Sequence, residues 1–472
     1  MTAEAAGRRW FAWSCGYSAL VALVTGYFVL RVPIQVTDSF TTLLSLDRPW
    51  LDLMRDQFQQ AGYLRPALWA ELKVVHDLSG GDYYNWFRLT QALQVAGLVW
   101  LFVRLVQPRS AAAAAVLPLG LAILLGIHTF AWTVREAYPI NTFLTMLLCC
   151  AAAANLSFAR PRWWIDALAA ALFVVAALTV ETGLLVWVIF VGGAIVGLRG
   201  VSRRGLVLVS AALAGYFVLR FVLLDNGLPG LIERDSGFGF RRYTPGELSA
   251  RFGANPWGFY AYNVVSAASS VLFAEPRDGV YRLTRSLVRG APEWPLVIGF
   301  VSSSLATVLI ARFAWTRRKR WRRWELERGD QLVLIFVAVL AANAAISYGY
   351  SKDQIISPAG FFYAIAAFVA ARDLVERLPA RRAARAAALA VCVVLSVSWS
   401  LRAIGLHAGL SWTALRVREQ WAYVDDWFAN VGTRELSPRS RALRDQLQDD
   451  AVRRHPAPLP LREELTRLFE VD

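Results

Sequence analysis

The sequence predicts an all-α polytopic membrane protein, and three observations carry that expectation. Apolar residues make up 56% of the chain, above the roughly 45–50% of a soluble domain. The excess falls in repeated runs of about 17–22 residues, the length of helix that spans a bilayer. Arginines gather in the short connections between alternate runs, the pattern of cytoplasmic loops. The even alternation of a membrane barrel strand is absent, which argues against that class.

Taken in order, the runs lie at 10–30, 86–106, 111–127, 138–158, 163–180, 183–198, 205–224, 294–313, 331–348, 356–371 and 386–404, about eleven spans. One set of connections is basic: Arg8/Arg9, Arg104/Arg109, Arg160/Arg162, Arg199/Arg203/Arg204, the run Arg317 to Arg323, and Arg377/Arg381/Arg382/Arg385. It alternates with a less basic set. The first set is expected in the cytoplasm, with the N-terminus inside and, for an odd number of spans, the C-terminus outside. Arg8 and Arg9 before an apolar run imitate a signal peptide. The run is long, however, and Arg31-Val32-Pro33 is not a small-residue cleavage site, so a retained first helix is expected.

A transmembrane domain at 1–404 and a short extracytoplasmic tail at 405–472 follow. The elaboration is all outside: loops 32–85 and 225–293, and the tail. Leu43–Gln59 has apolar residues at helical spacing with charges between them, as a helix lying in the interface does. Pro66–Val75 is a candidate second helix, and the aromatic stretch Pro256–Phe273 a third. Trp412–Asn430 is expected to be helical in the tail.

The net charge of +15 and pI near 10.1 would suggest nucleic acid on a soluble protein. Here the basic residues sit in short loops, so topology accounts for them and no nucleic-acid partner is expected. Cys15, Cys149, Cys150 and Cys392 lie in apolar runs as small hydrophobes. No disulfide framework or zinc box is readable.

Ionisable residues near membrane depth are the functional candidates. Asp38, just past the first span, fits a general base towards an acceptor hydroxyl or a ligand of a divalent cation. It also fits a helix cap. Tyr63 and Arg65 precede Pro66, and arginine offers a planar fork to phosphate; a headgroup contact is the alternative. His128, Arg135 and Glu136 share one short outer connection, as a site or as a solvated turn. Glu181 interrupts an apolar stretch, so it marks a tight turn or points into the bundle, where it must be paired or protonated. Arg220 lies near the outer end of the seventh span and either serves a site or snorkels. Lys352 and Asp353 form a local ion pair or a phosphate-binding lysine held by an acid. No P-loop, dinucleotide fingerprint, HExxH or nucleophile elbow is present. Nor is there the pair of broken spans that marks inverted-repeat transporters.

Four stretches resemble the GT-C class of integral membrane glycosyltransferases, and within it bacterial relatives of the tetratricopeptide-carrying membrane O-mannosyltransferase-like proteins. They are Asp38 with Tyr63-Leu64-Arg65-Pro66 and Asp82-Tyr83-Tyr84-Asn85; His128-Thr129 with Ala131-Trp132 and Arg135; Leu178-Thr179-Val180-Glu181-Thr182-Gly183-Leu184; and Lys352-Asp353-Gln354 through Ser357-Pro358-Ala359-Gly360-Phe361. The region of Trp421 and Trp427 is similar to the segment that leads into the repeats. The chain departs from the pattern with Phe130 in place of a glutamate, Val180 in place of a lysine, no second histidine run, and a tail too short for a repeat array. The resemblance implies a GT-C-like bundle in a bacterial inner membrane with an outward-facing site. A polyprenyl-phosphate-linked sugar would be the donor, and the acceptor is not specified. Asp38 would be the catalytic residue, and Arg65, Lys352, Arg135 and Arg220 the donor-phosphate ligands. Tyr63, His128, Glu136, Glu181 and Asp353 would line the site. No cofactor is implied beyond a divalent cation. A transporter or flippase for a lipid-linked substrate, or a non-catalytic scaffold of the same fold, are the alternatives.

Overall fold

The computed structural model describes residues 3–32, 45–46, 48–59, 63–80, 83–126, 128, 142–225, 234–377 and 382–416, with positions 438, 442 and 445 of the tail. Asp38, Arg135, Glu136, Phe130, Trp421 and Trp427 lie outside the described residues.

Among the described residues the chain folds into sixteen α-helices. They are α1 (Ala3–Arg31), α2 (Trp50–Gln59), α3 (Pro66–Ser79), α4 (Tyr83–Val106), α5 (Ala111–Leu124), α6 (Thr142–Ser157), α7 (Trp163–Ala177) and α8 (Leu185–Ile195), followed by α9 (Arg203–Phe217), α10 (Pro245–Phe252), α11 (Trp257–Phe273), α12 (Arg282–Val288), α13 (Trp294–Arg322), α14 (Arg328–Ile346), α15 (Ser357–Arg377) and α16 (Arg382–Arg416). A 3-10 turn, Glu181–Leu184, opens α8, and a π-helical turn, Val218–Leu223, extends α9. The antiparallel hairpin β1 (Ser236–Phe238) and β2 (Arg241–Tyr243) pairs Gly237 with Arg242.

Among the described residues seven helices are long and apolar enough to cross a membrane: α1, α4, α9 with its π turn, α13, α14, α15 and α16. Helices α5, α6, α7 and α8 are shorter and also apolar. The peripheral helices expose large aliphatic side chains, among them Leu23 on α1, Val207 on α9, Val308 on α13 and Val394 on α16. Faces of that kind on successive helices are what a bilayer covers. The protein is an all-α, multi-pass membrane protein.

The core is built around α15. Its run from Ser357 to Ala371 is buried on every side, as expected of a helix that is apolar all round. Small residues at Ala359, Gly360, Ala364, Ala366, Ala367, Ala370 and Ala371 let neighbours approach closely, the usual contact between membrane helices. Phe361 and Phe368 of α15 meet Phe102 of α4 edge to face, at 6.4 and 6.2 Å between centroids. Asn343 of α14 ties the start of α15 down, donating to Ile355 O at 2.8 Å and accepting from Ala359 N at 3.2 Å.

Direct contacts gather the basic connections at one end of the bundle. Arg328 donates from Nη2 to Leu105 O at 3.0 Å, satisfying a carbonyl left open at the end of α4. Arg317 bonds Asp373 at 2.8 Å and Glu327 at 2.7 Å. Ser110 bonds Glu376 at 2.8 Å, and Gln331 reaches Val196 O at 3.1 Å. Asp166 of α7 accepts from Ser202 N and Oγ at 2.9 and 2.6 Å. The opposite end carries the connection before α3, the turn before α8, residues 234–293 and the loop 347–356.

Some expected elements differ in extent. Of the stretch expected as a helix from Leu43 to Gln59, Ser45, Leu46 and α2 are helical, and Leu43, Leu44 and Asp47 lie outside the described residues. Helix α3 runs on to Ser79 and stops at Gly80, whose φ of 55° suits glycine. Helix α16 continues without a break through residue 405 to Arg416, so Trp412 belongs to the last long helix rather than opening a separate one. Helix α11 buries Phe259, Asn263, Ser266, Ala267, Ser270 and Val271. One face of it packs on α13 and α14, where Thr307 donates to Leu272 O.

Gly360 marks the tightest approach in the core. A Cβ there would lie 2.6 Å from His128 Cβ and 2.9 Å from its carbonyl carbon. Gly360→Ala must therefore push α15 off the end of α5. We expect it to lower the thermal unfolding midpoint of the purified protein. Gly16→Ala on α1, with nothing within 4 Å of the new carbon, should leave the midpoint unchanged or raise it slightly.

Candidate functional site

The site is built where three separated pieces of chain end at one level. Arg65 is the residue before α3. Pro66 at the first helical position has no N–H to satisfy, and the next amide, Ala67 N, donates to Leu178 O at 3.1 Å. Open donors of α3 thus meet an open acceptor at the end of α7. The chain then turns tightly from α7 into α8 through Glu181–Leu184. Gly183 is required there, because a Cβ would stand 2.0 Å from Ala176 O. The third piece is the π turn on α9. A π turn carries one residue more than the α-helix it interrupts and recurs at functional sites; here it carries Arg220.

These pieces meet on one carboxylate. Arg65 Nη2 donates to Glu181 Oε2 at 2.6 Å, and Arg220 Nη1 donates to Glu181 Oε1 at 3.2 Å and to Tyr216 OH at 2.7 Å. Arg220 is 4% exposed at its side chain, Arg65 and Glu181 24% each. Charges so placed are tolerated only in pairs. Both alternatives read for Glu181 hold together: it opens a tight turn and its carboxylate points inward to partners. Arg220 turns into the bundle and does not snorkel.

An aromatic layer lies on top. The Arg65 guanidinium is 4.3 Å from the Tyr63 ring centroid. Arg234, from the connection between α9 and β1, donates to Tyr63 OH at 3.1 Å and lies 5.2 Å from the Tyr350 ring. Lys352 Nζ is 5.9 Å from the same ring. Tyr63, Arg65, Glu181, Thr182, Arg220 and Tyr350 border a cavity of about 70 Å³, room for about two waters or one small anionic group. Burial raises the Tyr350 hydroxyl pKa against the opposing pull of Arg234, so it enters the layer as a neutral donor. A larger hollow of about 320 Å³, flanked by Arg282, Arg285 and Arg289, lies beside α12.

Of the residues singled out in the sequence, Tyr63, Arg65, Glu181 and Arg220 come together, with Lys352 at the edge. His128 and Asp353 belong to a second polar layer. The His128 ring packs against Tyr363 and Trp399 at 5.7 and 5.8 Å. Asp353 accepts from Ser270 Oγ at 3.5 Å and faces Arg277 and Asp278. It does not turn to its neighbour Lys352 as a local ion pair. Burial, and after it the Asp278 carboxylate, push the Asp353 carboxyl up to about 7 despite Arg277. The loop 347–356 joins the layers, with Tyr350 in one and Asp353 in the other.

Sequence reasoning missed Arg234, Tyr350, Tyr216 and Glu71. Glu71 of α3 accepts from Gln94 Nε2 at 2.9 Å and Thr145 Oγ1 at 2.7 Å, and burial raises its carboxyl pKa. The available signal was its helical spacing from Lys73 and Asp77, which puts it on a different face from that pair. Among the described residues no cluster of three His, Cys, Asp or Glu side chains could hold a metal ion. No family model, curated protein or solved structure matches the chain.

Glu181→Gln leaves two arginines facing each other without their anion. It should cost about 3 kcal/mol in unfolding free energy. Asp56→Asn, which breaks the exposed pair between Asp56 of α2 and Arg48 just before it, should change nothing measurable. Equal effects would show that the cluster is not a buried charge network.

Asp353 gives a pH dependence of definite sign. Its folded pKa of about 7 exceeds the unfolded value of about 3.9, so between these the folded state binds the extra proton. Stability should fall as pH rises through about 4 to 7 and level off above. Asp353→Asn should flatten that slope in unfolding midpoints measured across the range. An unchanged slope would contradict the assignment.

Proposed function

We propose that the chain is a GT-C-type glycosyltransferase that moves a sugar from a polyprenyl-phosphate donor to an acceptor on the outer face of a bacterial inner membrane. The observation that supports this reading most directly is the meeting of Tyr63, Arg65, Glu181 and Arg220 at the bundle end opposite the basic connections. On this reading the four shorter apolar helices also span, which gives about eleven spans. The basic end is cytoplasmic, the N-terminus lies inside and the C-terminus outside. Helices α2, α3 and α11 serve as interfacial elements of the outer loops.

In the proposed reaction Asp38 takes the proton of the acceptor hydroxyl as its oxygen attacks the anomeric carbon. The bond from that carbon to the phosphate oxygen breaks, and polyprenyl phosphate leaves. Arg65 and Arg220, with Lys352 and Arg135, meet the charge that develops on the phosphate, the stabilisation that matters most in such a displacement. Glu181 fixes the two guanidiniums before substrate arrives, so less reorganisation is needed in the transition state. On this reading Tyr63 and Glu136 line the approach, while His128 and Asp353 stand in the second layer behind it. A divalent cation held near Asp38 could share the neutralisation.

The buried Arg402 of α16 favours a second reading, a transporter or flippase for a lipid-linked substrate, because charges within the spans mark substrate paths. Asp38→Asn should abolish transfer in a purified, normally folded protein, and Arg65→Lys should reduce it by keeping charge and losing the fork. Full transfer by Asp38→Asn would remove Asp38 from the mechanism.

A further inference from the structure

The second polar layer holds a charge that the protein does not answer. Arg402 lies within the apolar stretch of α16 and is 5% exposed. Its guanidinium stacks on Trp399 with Cζ 3.8 Å from the ring centroid. Its Nη1 donates to Ser302 Oγ at 2.8 Å and Ser303 Oγ at 3.0 Å, both neutral groups on α13. The opposite edge, Nε and Nη2, is buried and has no hydrogen-bond partner. Arginine keeps its charge in proteins, and a buried charge without a counter-charge is among the costliest features a fold can carry.

The contrast with the first layer is sharp. Arg65 and Arg220 share the Glu181 carboxylate, whereas among the described residues Arg402 meets only serine hydroxyls and an aromatic face. The open Nε–Nη2 edge is the side of a guanidinium that takes two oxygens of one carboxylate or phosphate in parallel. Two more donors lie in the same layer. Trp399 Nε1 and His128 Nε2 are buried and without partners, on residues 0% and 3% exposed. In the tautomer that carries its proton on Nε2, His128 donates as well. Arg277, from the loop after α11, acts electrostatically on both Arg402 and His128. Its own charge faces Asp353 and Asp278.

We infer that the Nε–Nη2 edge of Arg402, in the layer it shares with His128 and Trp399, is a binding site for one phosphate-type oxyanion inside the bundle. The site lies apart from the Glu181 cluster and goes beyond the transfer reading, which puts donor phosphate on other arginines. The ligand is the phosphate of a lipid headgroup or a free phosphate ion. Either neutralises Arg402 and joins α13 to α16 through it.

The test uses the full-length protein in detergent, before and after exhaustive delipidation. Inorganic phosphate is titrated against chloride at constant ionic strength while the unfolding midpoint is followed. The delipidated protein should show a saturable rise specific to phosphate, and Arg402→Lys should bind at least about tenfold more weakly, because lysine lacks the planar fork. If a lipid supplies the phosphate, native mass spectrometry before delipidation finds one phospholipid on the wild type that R402K loses. If free phosphate is the ligand, no lipid is retained and the rise is present from the start. Should R402K fail to fold, His128→Asn and Trp399→Phe each remove one donor and keep the charge, and at least one must weaken phosphate binding. No phosphate-specific rise in the delipidated wild type overturns the proposal, as does a rise that none of these substitutions alters. Binding is read here without sugar transfer, so failure of this site leaves the transfer reading standing, and the reverse also holds.

Discussion

One carboxylate between two arginines sets the arrangement of a whole end of this bundle. Glu181 cannot be buried alone, and neither can Arg220. Their pairing fixes the turn between α7 and α8 against the π turn of α9, and Arg65 brings the start of α3 to the same point. The local chemistry agrees with it. Pro66 removes one open amide, Ala67 N docks on Leu178 O, and Gly183 lets the turn close on Ala176. If the ion pair is lost, these backbone contacts hold two like charges together in a medium of low dielectric.

The two ends of the bundle use their charges differently. At the basic end arginines serve structure: Arg328 closes the carbonyls of α4, and Arg317 bonds Asp373 and Glu327. At the other end arginines meet tyrosine rings and a single glutamate around a small cavity. Rings and a shared carboxylate hold a guanidinium in place without using all its donors. Arg65 keeps its Nε without a partner. That is a sound arrangement for meeting an anionic group, and it is why the glycosyl-transfer reading puts the donor phosphate there.

Much of this was legible in the sequence, for physical reasons. Long apolar runs between arginine-bearing connections leave little choice but spanning helices. A glutamate inside an apolar stretch must be paired or protonated, and Arg65 in the first loop and Arg220 near a span end were candidates of the same region. Other features were not legible. The π turn that aims Arg220 inward leaves no mark in residue type. Arg234 and Tyr350 come from loops, whose placement depends on packing that no periodicity encodes. His128 and Asp353 looked like members of the same site, yet His128 packs on Tyr363, Trp399 and Gly360 while Asp353 faces Ser270, Arg277 and Asp278. Arg402 was readable as a charge inside the last span. It lies two residues before the expected end of the run 386–404, and residue type alone does not say that its side chain is buried.

The most direct test of the account follows both the sugar and the lipid in one vessel. The purified protein is reconstituted in sealed liposomes carrying a polyprenyl-phosphate-linked labelled hexose, and the release of free polyprenyl phosphate is measured alongside movement of the intact donor between leaflets. The account predicts release of polyprenyl phosphate with the hexose carried to an acceptor supplied on the outer-loop side. Movement of intact donor across the bilayer with no release of polyprenyl phosphate would contradict it.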